Sequence, residues 1–368
     1  MRKSAMVYIS LGLWTAAGPA LGNEGLELSS PLVMQVYQRD KQEQAAVRIE
    51  GGAPAGATIV EAKADLSADA TRGKSADWTT IAKDGQIKDG QFAGQCVLAT
   101  GGWYTIVARA RRNGEIVAQT QVEMVGVGDV FITAGQSNSA NAGEPPQRAE
   151  SDRVVYFDGR SSVPARDPIP GSFGEGGSPW SILGDMLTRT TQAPVCFRST
   201  SLHWAPVREW LPNAQSQWPF YKTLVERTKW FGPHGVRAVL WHQGEDDASA
   251  KTSAEQYAKE LGTVIESMRK DVGYPVDWFV AAASYCQSGD VEAEQEVVRG
   301  QKLLWTRGVT FRGPDTNDLL RGYRARDGGH FGPLGLRTHA ERWYAELSAQ
   351  YGFANPVSTA LPVSRTKP

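Results

Sequence analysis

Apolar and polar residues alternate in short runs between Leu26 and Val127. The clearest runs cover residues 45–49, 58–62, 103–109 and 116–122. Alternation with a period of two, together with β-branched residues, predicts strands that bury one face. Because Gly, Pro and Asp interrupt the pattern at about every 8–12 positions, we predict an antiparallel β-sandwich for this part of the chain.

The pattern changes after Val127. Residues 129–134 form a nearly continuous apolar run, which is typical of a strand buried on both faces of a parallel sheet. Similar runs at 236–241 and 276–283 flank a segment, 253–270, in which apolar residues recur at helical spacing. A further helix is predicted at 334–350. This alternation predicts an α/β fold, a three-layer doubly wound parallel sheet, whose functional residues follow the carboxyl ends of strands.

The N-terminus has the pattern of a secretory signal peptide. Arg2 and Lys3 precede an apolar run at 5–17, and Ala20-Leu21-Gly22 offers small residues for cleavage. A buried N-terminal helix is the alternative. We therefore expect a signal peptide at 1–22, a β-sandwich domain at 24–127, a catalytic domain at 128–352 and a loose tail at 353–368. The mature protein would be secreted or periplasmic and not membrane-bound.

Composition narrows the choice of function. The 368 residues carry a formal net charge of -1, which provides no electrostatic footprint for nucleic acid or an anionic membrane. The 12 tryptophans are either core residues or the walls of a sugar-binding cleft. The three cysteines fit no zinc pattern. Cys196 and Cys286 could pair in an oxidising compartment, but buried free thiols are the expectation.

Ser137 lies on the first of the strand-end loops, in the sequence Ala-Gly-Gln-Ser-Asn-Ser at 134–139. A serine becomes a nucleophile when a base takes its proton, and a tight turn after a strand would expose it to substrate. Gly135 suits such a turn. The alternative is that Ser137 caps the helix that follows.

Asp327 and His330 form a second group, joined by two glycines. One compact loop could present both side chains, so that the carboxylate orients the imidazole as a general base. A structural histidine is the alternative. Asp315 and Asp318 are competing acidic partners for His330.

The third group is Trp-His-Gln-Gly-Glu at 241–245, followed by two aspartates. It lacks the paired histidines of a zinc hydrolase, and Gly244 favours a loop, so we predict neither a metal nor a cofactor. The amide of Gln243 could instead donate a hydrogen bond to a developing oxyanion.

Together, Gly-Gln-Ser-Asn, Trp-His-Gln-Gly-Glu and Asp-x-x-His, in this order, resemble the SGNH hydrolases, which have a flavodoxin-like α/β fold. Within them the chain is similar to the sialate O-acetylesterase-like carbohydrate esterases, over about residues 128–343. The resemblance implies Ser137 as nucleophile, His330 as base and Asp327 as its orienting acid. It also implies an oxyanion hole made by the Ser137 N–H, a glycine N–H and the Gln243 side chain.

The glycine of the oxyanion hole is less defined by the motifs. We choose Gly177, from the glycine-rich stretch at 174–177, although a flexible loop is the alternative reading of that stretch. Three further motif residues, Asn138, Trp241 and Glu245, are expected to bind substrate. Glu245 is also a carboxylate near the site, but it suits a structural acceptor better than the acid of the triad.

These features predict a serine esterase that removes acyl groups, most simply acetyl groups, from carbohydrate esters through an acyl-enzyme. Trp180, Trp204, Trp210 and Trp218 lie in the segment expected to build the rim of the cleft. A carbohydrate-binding protein without catalytic activity, built on a hydrolase fold, is the alternative. A peptidase or lipase is disfavoured because no apolar lid segment is evident.

Overall fold

The computed structural model describes residues 25–353. The predicted signal peptide at 1–22 lies outside these residues, as does the predicted tail except for Phe353. The strands of the described part are β1 Glu27–Ser30, β2 Val36–Gln38, β3 Gln44–Gly52, β4 Ile59–Leu66, β5 Ala76–Lys83, β6 Gln91–Ala99, β7 Trp103–Arg112, β8 Glu115–Gly135, β9 Val154–Phe157, β10 Ser162–Pro164, β11 Val195–Ser199, β12 Ala238–His242, β13 Asp277–Ala282 and β14 Phe311–Asp315.

The helices are α1 Trp180–Thr191, α2 Phe220–Lys229, α3 Glu245–Ser249, α4 Ala254–Val272, α5 Val291–Thr306 and α6 Pro333–Tyr351. Short 3-10 turns cover Ser137–Ser139 and Val207–Trp210. None of the helices within 25–353 combines the length and the apolar character that a membrane span requires.

The N-terminal strands form two antiparallel groups. One is the three-stranded sheet β1-β3-β6, and the other joins β5, β4, β7 and the first half of β8. Side chains from both groups share one buried core, with Val47 and Leu98 from the first and Val60 and Ile106 from the second. The predicted strands at 45–49, 58–62 and 103–109 are confirmed, because alternate residues of each reach this core.

The second half of the chain forms a parallel sheet in the order β9-β11-β8-β12-β13-β14, with β10 antiparallel at one edge. Successive residues of a strand point to opposite faces, as in β12, where Trp241 joins one core and Leu240 the other. Helices α2, α4 and α5 supply apolar side chains to the first core, and α1 and α6 to the second. The expected mixed α/β architecture is therefore present.

The strand β8 is the physical link between the two halves. It runs for 21 residues without a break at Val127, where the hydrophobic pattern changes. Its first half alternates between exposed and less exposed residues, and its second half is buried throughout. The change of hydrophobic pattern therefore marks the point at which β8 passes from a partly exposed strand to a fully buried one.

The helix α4 shows how closely the sequence pattern predicts local structure. Ser253 caps it by accepting a hydrogen bond from the backbone N–H of Gln256, and it ends where Gly273 adopts a left-handed conformation with φ 86°. Its buried residues, Tyr257, Ala258, Leu261, Val264, Ile265 and Met268, form the predicted apolar stripe.

Candidate active site

The strand β8 delivers Ser137 to the carboxyl edge of the parallel sheet. Gly135 has φ +128°, and a Cβ atom there would lie 2.0 Å from the carbonyl oxygen of His242, so the close approach of β12 requires glycine. The chain then makes one 3-10 turn, which the Ser139 hydroxyl fastens by donating to Ala134 O at 2.9 Å.

Ser137 is 6% exposed. Its hydroxyl forms no hydrogen bond with any other residue in the described range, and the turn that begins at Ser137 has no side-chain cap. The structure therefore does not use Ser137 as a helix cap. An uncommitted hydroxyl on a tight strand-end turn is available for chemistry.

Asp327 and His330 contact each other directly. Asp327 Oδ2 lies 2.5 Å from His330 Nδ1, and its Oδ1 accepts hydrogen bonds from the backbone N–H groups of Gly329 and His330 at 2.9 and 3.0 Å. Partial burial acts to raise the pKa of Asp327, but these hydrogen bonds from His330 and Gly329 outweigh it and lower the pKa. An ionised Asp327 thus fixes the imidazole through Nδ1 and leaves Nε2 for a proton transfer.

The competing carboxylates are occupied elsewhere. Asp318 forms an ion pair with Arg342 at 2.5 Å, and Asp315 accepts hydrogen bonds from Asn317. Neither contacts His330, which leaves Asp327 as its acidic partner.

Asn138 connects the Ser137 turn to the loop that carries His330. Its side-chain amide donates to Gly329 O at 3.4 Å and to Glu245 Oε1 at 2.9 Å. Arg324 binds the same Gly329 oxygen at 2.7 Å, with its guanidinium 4.3 Å from the centre of the Phe331 ring. Sequence reasoning missed this role of Arg324, because no motif marks an arginine that binds backbone carbonyls.

Glu245 lies beneath this connection, with most of its side chain buried. Its Oε1 also lies 3.4 Å from His242 Nε2. Burial alone would raise the pKa of Glu245, but the hydrogen bonds and charge of its partners, His242 foremost, hold the pKa at about 2. Asn138 and Glu245 therefore bind each other, and their predicted contact with substrate stays a prediction.

Two of the predicted oxyanion donors are already engaged. The two amide hydrogens of Gln243 are directed to Ala205 O at 3.2 Å and to Asp247 Oδ2 at 2.6 Å, and Gln243 is fully buried. The N–H of Gly177 donates to Gly143 O at 2.5 Å. Both groups therefore have hydrogen-bond partners inside the protein, and their donor roles in an oxyanion hole stay predictions.

Trp241, which was predicted to bind substrate, is completely buried, and its indole N–H donates to Tyr257 at 3.1 Å. Its contact with substrate stays a prediction. Trp180 and Trp210 are buried as well, whereas Trp204 and Trp218 are exposed. The tryptophans of this segment are thus divided between the core and the surface.

The structure also bears on disulfide and metal chemistry. All three cysteines are free, so Cys196 and Cys286 do not pair. Within 25–353, no group of three or more His, Cys, Asp and Glu side chains could hold a metal ion.

Comparison with known proteins gives a consistent set of relatives. A family model described as carbohydrate esterase, sialic acid-specific acetylesterase, matches residues 127–310, which is half of the chain. A probable carbohydrate esterase from Arabidopsis thaliana is 28% identical over 99 residues, which cover 26% of this chain and 36% of that protein. The match thus spans about a third of the length of this curated relative.

One solved structure shows the same fold. A carbohydrate acetylesterase from Xanthomonas citri superposes with a TM-score of 0.59 at 18% identity, covering 89% of this chain and 76% of its own. A protein from Arabidopsis thaliana gives a TM-score of 0.46 at 16% identity, covering 61% of this chain and 97% of its own.

Proposed function

The chain belongs to the family of carbohydrate esterases described as sialic acid-specific acetylesterases, and we propose that it is a serine esterase that removes acetyl groups from acetylated saccharides. The observation that carries this proposal is the Asp327–His330 pair on a loop that Asn138 ties to the Ser137 turn. Family and geometry thus support the same reaction.

In the proposed reaction, Ser137 Oγ attacks the ester carbonyl while His330 Nε2 takes its proton. The tetrahedral intermediate collapses, and the sugar hydroxyl leaves with the proton from His330, which produces an acetyl-enzyme. A water molecule then gives its proton to His330 and attacks the acyl carbon. The second tetrahedral intermediate collapses as His330 returns the proton to Ser137 Oγ, and acetic acid departs and loses its remaining proton to solvent. Asp327 holds Nδ1–H throughout and stabilises the imidazolium.

The oxyanion must be stabilised by N–H donors near Ser137. The backbone N–H of Ser137 donates to no other described backbone group, so we assign it as one donor. Gly177 and Gln243 could contribute only after giving up their present hydrogen bonds, and we assign them structural roles.

We also propose a three-layer SGNH fold for the catalytic part, preceded by a β-sandwich, and export through the signal peptide at 1–22. The two antiparallel groups around one core and the helices on both faces of the parallel sheet support the architecture. The charged start and apolar run of the N-terminus support export. Mass spectrometry of the exported protein would show Asn23 as its first residue, and retained Met1 would reject the cleavage.

A fluorophosphonate probe tests the nucleophile independently of any sugar substrate. We expect stoichiometric labelling of the full chain at Ser137 and none in Ser137→Ala, since only an activated serine reacts. Ser161→Ala, which alters an exposed serine bound to Asp158, is the matched control and should label normally. Saccharide binding without labelling would instead favour the non-catalytic carbohydrate-binding protein.

A further inference from the structure

A cleft of about 760 Å³ opens beside α3, the short helix that follows β12. Ligand sites for small molecules fall in the range of roughly 300–1,000 Å³. The side chains on its walls that bear on ligand choice are His203, Trp204, Arg208, Glu209, Trp218 and Asp246.

Aromatic rings form one side of this cleft. Trp204 is 55% exposed and Trp218 is 40% exposed. The rings of His203 and Trp218 stack with centroids 5.3 Å apart and 13° between their planes, and Trp204 lies 4.1 Å from His203. Exposed aromatic rings held in this way offer flat apolar faces to a ligand, and such patches commonly mark binding grooves.

The cleft adjoins the nucleophile turn at two points. The backbone N–H of Asp246 donates to the side chain of Gln136, the residue before Ser137, at 3.3 Å. On the aromatic side, Phe173 packs edge-on against Trp204 at 5.3 Å, and its carbonyl accepts a hydrogen bond from the N–H of Asn141 at 2.9 Å. Both walls are therefore fixed to the segment that carries the proposed nucleophile.

The charges of the walls favour a particular type of ligand. Two carboxylates, Glu209 and Asp246, face a single cation, Arg208. Within 25–353 the carboxylate of Asp246 accepts no hydrogen bond; its Oδ2 is buried, which leaves Oδ1 as the acceptor on the wall of the cleft. Burial, with the nearby charge of Glu245 and Asp247, raises the pKa of Asp246 to about 6. Such a carboxylate is suited to accept hydrogen bonds from sugar hydroxyls, whereas it would repel an acidic sugar.

We propose that this cleft is the saccharide subsite of the enzyme and that it takes neutral, hydroxyl-rich sugar rings in preference to sialic acid. The rings would stack on Trp204 and Trp218 and donate hydroxyl hydrogen bonds to Asp246. The role of the cleft in deacetylation rests on the proposed esterase function. Saccharide binding to the cleft is measured independently of that function.

The test uses the full chain carrying Ser137→Ala, so that the acetyl groups of the ligand are not removed during the measurement. Isothermal titration calorimetry measures its binding of acetylated xylohexaose and of O-acetylated N-acetylneuraminic acid. Trp204→Ala and Trp218→Ala should each raise the Kd for xylohexaose about three- to tenfold, the range expected for losing one ring contact. Trp204→Phe keeps a ring and should retain most of the affinity. Trp230→Ala is the control, since Trp230 is 37% exposed but packs against Phe157 outside the cleft.

Tighter binding of the acetylated xylohexaose than of the acetylated sialic acid would support the proposal. An unchanged Kd in both Trp204→Ala and Trp218→Ala would overturn the subsite, and preference for the acidic sugar would overturn the choice of ligand. Binding is measured without turnover, so the two proposals can fail separately. If a chain with intact Ser137 releases no acetate, the esterase function is rejected and the subsite is not. Ring-dependent binding in that same chain would still establish the subsite.

Discussion

The side-chain amide of Asn138 donates to Glu245 Oε1 at 2.9 Å, which fastens the residue after Ser137 to the first residue of α3. Since the same amide reaches Gly329 O, the position of the proposed nucleophile relative to His330 depends on this contact. The site is therefore held together by groups that need not touch the substrate.

Glu245→Gln should lower kcat about tenfold or more with little change in KM. The substitution keeps the shape of the side chain but removes the ionised acceptor, and small misplacements in a catalytic site are costly. Steady-state hydrolysis of p-nitrophenyl acetate measures this, with Glu115→Gln at the exposed start of β8 as the control. Equal kcat for both variants would show that the contact has no part in positioning.

Asp327→Asn should lower kcat about 10²- to 10⁴-fold, because the imidazole loses the group that fixes its tautomer and stabilises its charge. Asp318→Asn provides the matched control, since that carboxylate pairs with Arg342 and not with His330. We expect Asp318→Asn to retain most of its kcat. A larger loss of kcat in Asp318→Asn than in Asp327→Asn would instead identify Asp318 as the acid that orients His330.

Gln243→Ala should mainly lower stability. Its buried amide donates hydrogen bonds to Asp247 Oδ2 and Ala205 O. The substitution removes one hydrogen bond from the buried carboxylate of Asp247 and leaves a cavity. We expect the free energy of unfolding to fall by about 2–4 kcal/mol in urea titrations. Gln121→Ala, on the exposed half of β8, should change it little. A variant that keeps full stability but loses kcat would restore the oxyanion role.

Asp246→Asn should stabilise the protein at neutral pH. Burial and neighbouring charges raise the pKa of Asp246 from 3.8 to about 6, so the folded state binds more protons than the unfolded state between those values. The free energy of unfolding of the wild type therefore falls as the pH rises from 3.8 to about 6. Asp246→Asn has no carboxyl group to titrate, so it does not lose this stability. Its free energy of unfolding at pH 8 should exceed the wild-type value by on the order of 1–2 kcal/mol after allowance for solvent screening.

The comparison is made at two pH values. Near pH 4 the wild-type carboxyl is largely protonated, so the variant and the wild type should unfold at similar urea concentrations. If the free energies of unfolding of the variant and the wild type differed equally at pH 4 and pH 8, the titration assigned to Asp246 would be contradicted. A weaker affinity of the more stable variant for acetylated xylohexaose would identify Asp246 as a residue kept for binding at the expense of stability.

Much of the local structure could be predicted from the sequence. The apolar stripe at 253–270 predicts α4, and the runs at 236–241 and 276–283 predict β12 and β13, because burial on a helix or a sheet imposes its own period. The proximity of Asp327 and His330 was also predictable, since only two residues separate them.

The roles of Gln243, Gly177 and Trp241 could not be predicted in the same way. The partners that occupy the amide of Gln243 include Ala205, which is 38 positions distant in sequence. Gly177 is required because Pro145 approaches it closely, where a Cβ would lie 2.2 Å from the carbonyl oxygen. Trp241 faces the core because of its register in β12. Each role depends on tertiary contacts that no local pattern contains.

The most direct measurement is acetate release from an acetylated saccharide by the full chain and by Ser137→Ala at matched concentrations. We predict steady release by the unaltered chain and a loss of about 10⁴-fold or more in kcat for Ser137→Ala, with an unchanged unfolding midpoint. Release that persists in Ser137→Ala would contradict the serine mechanism.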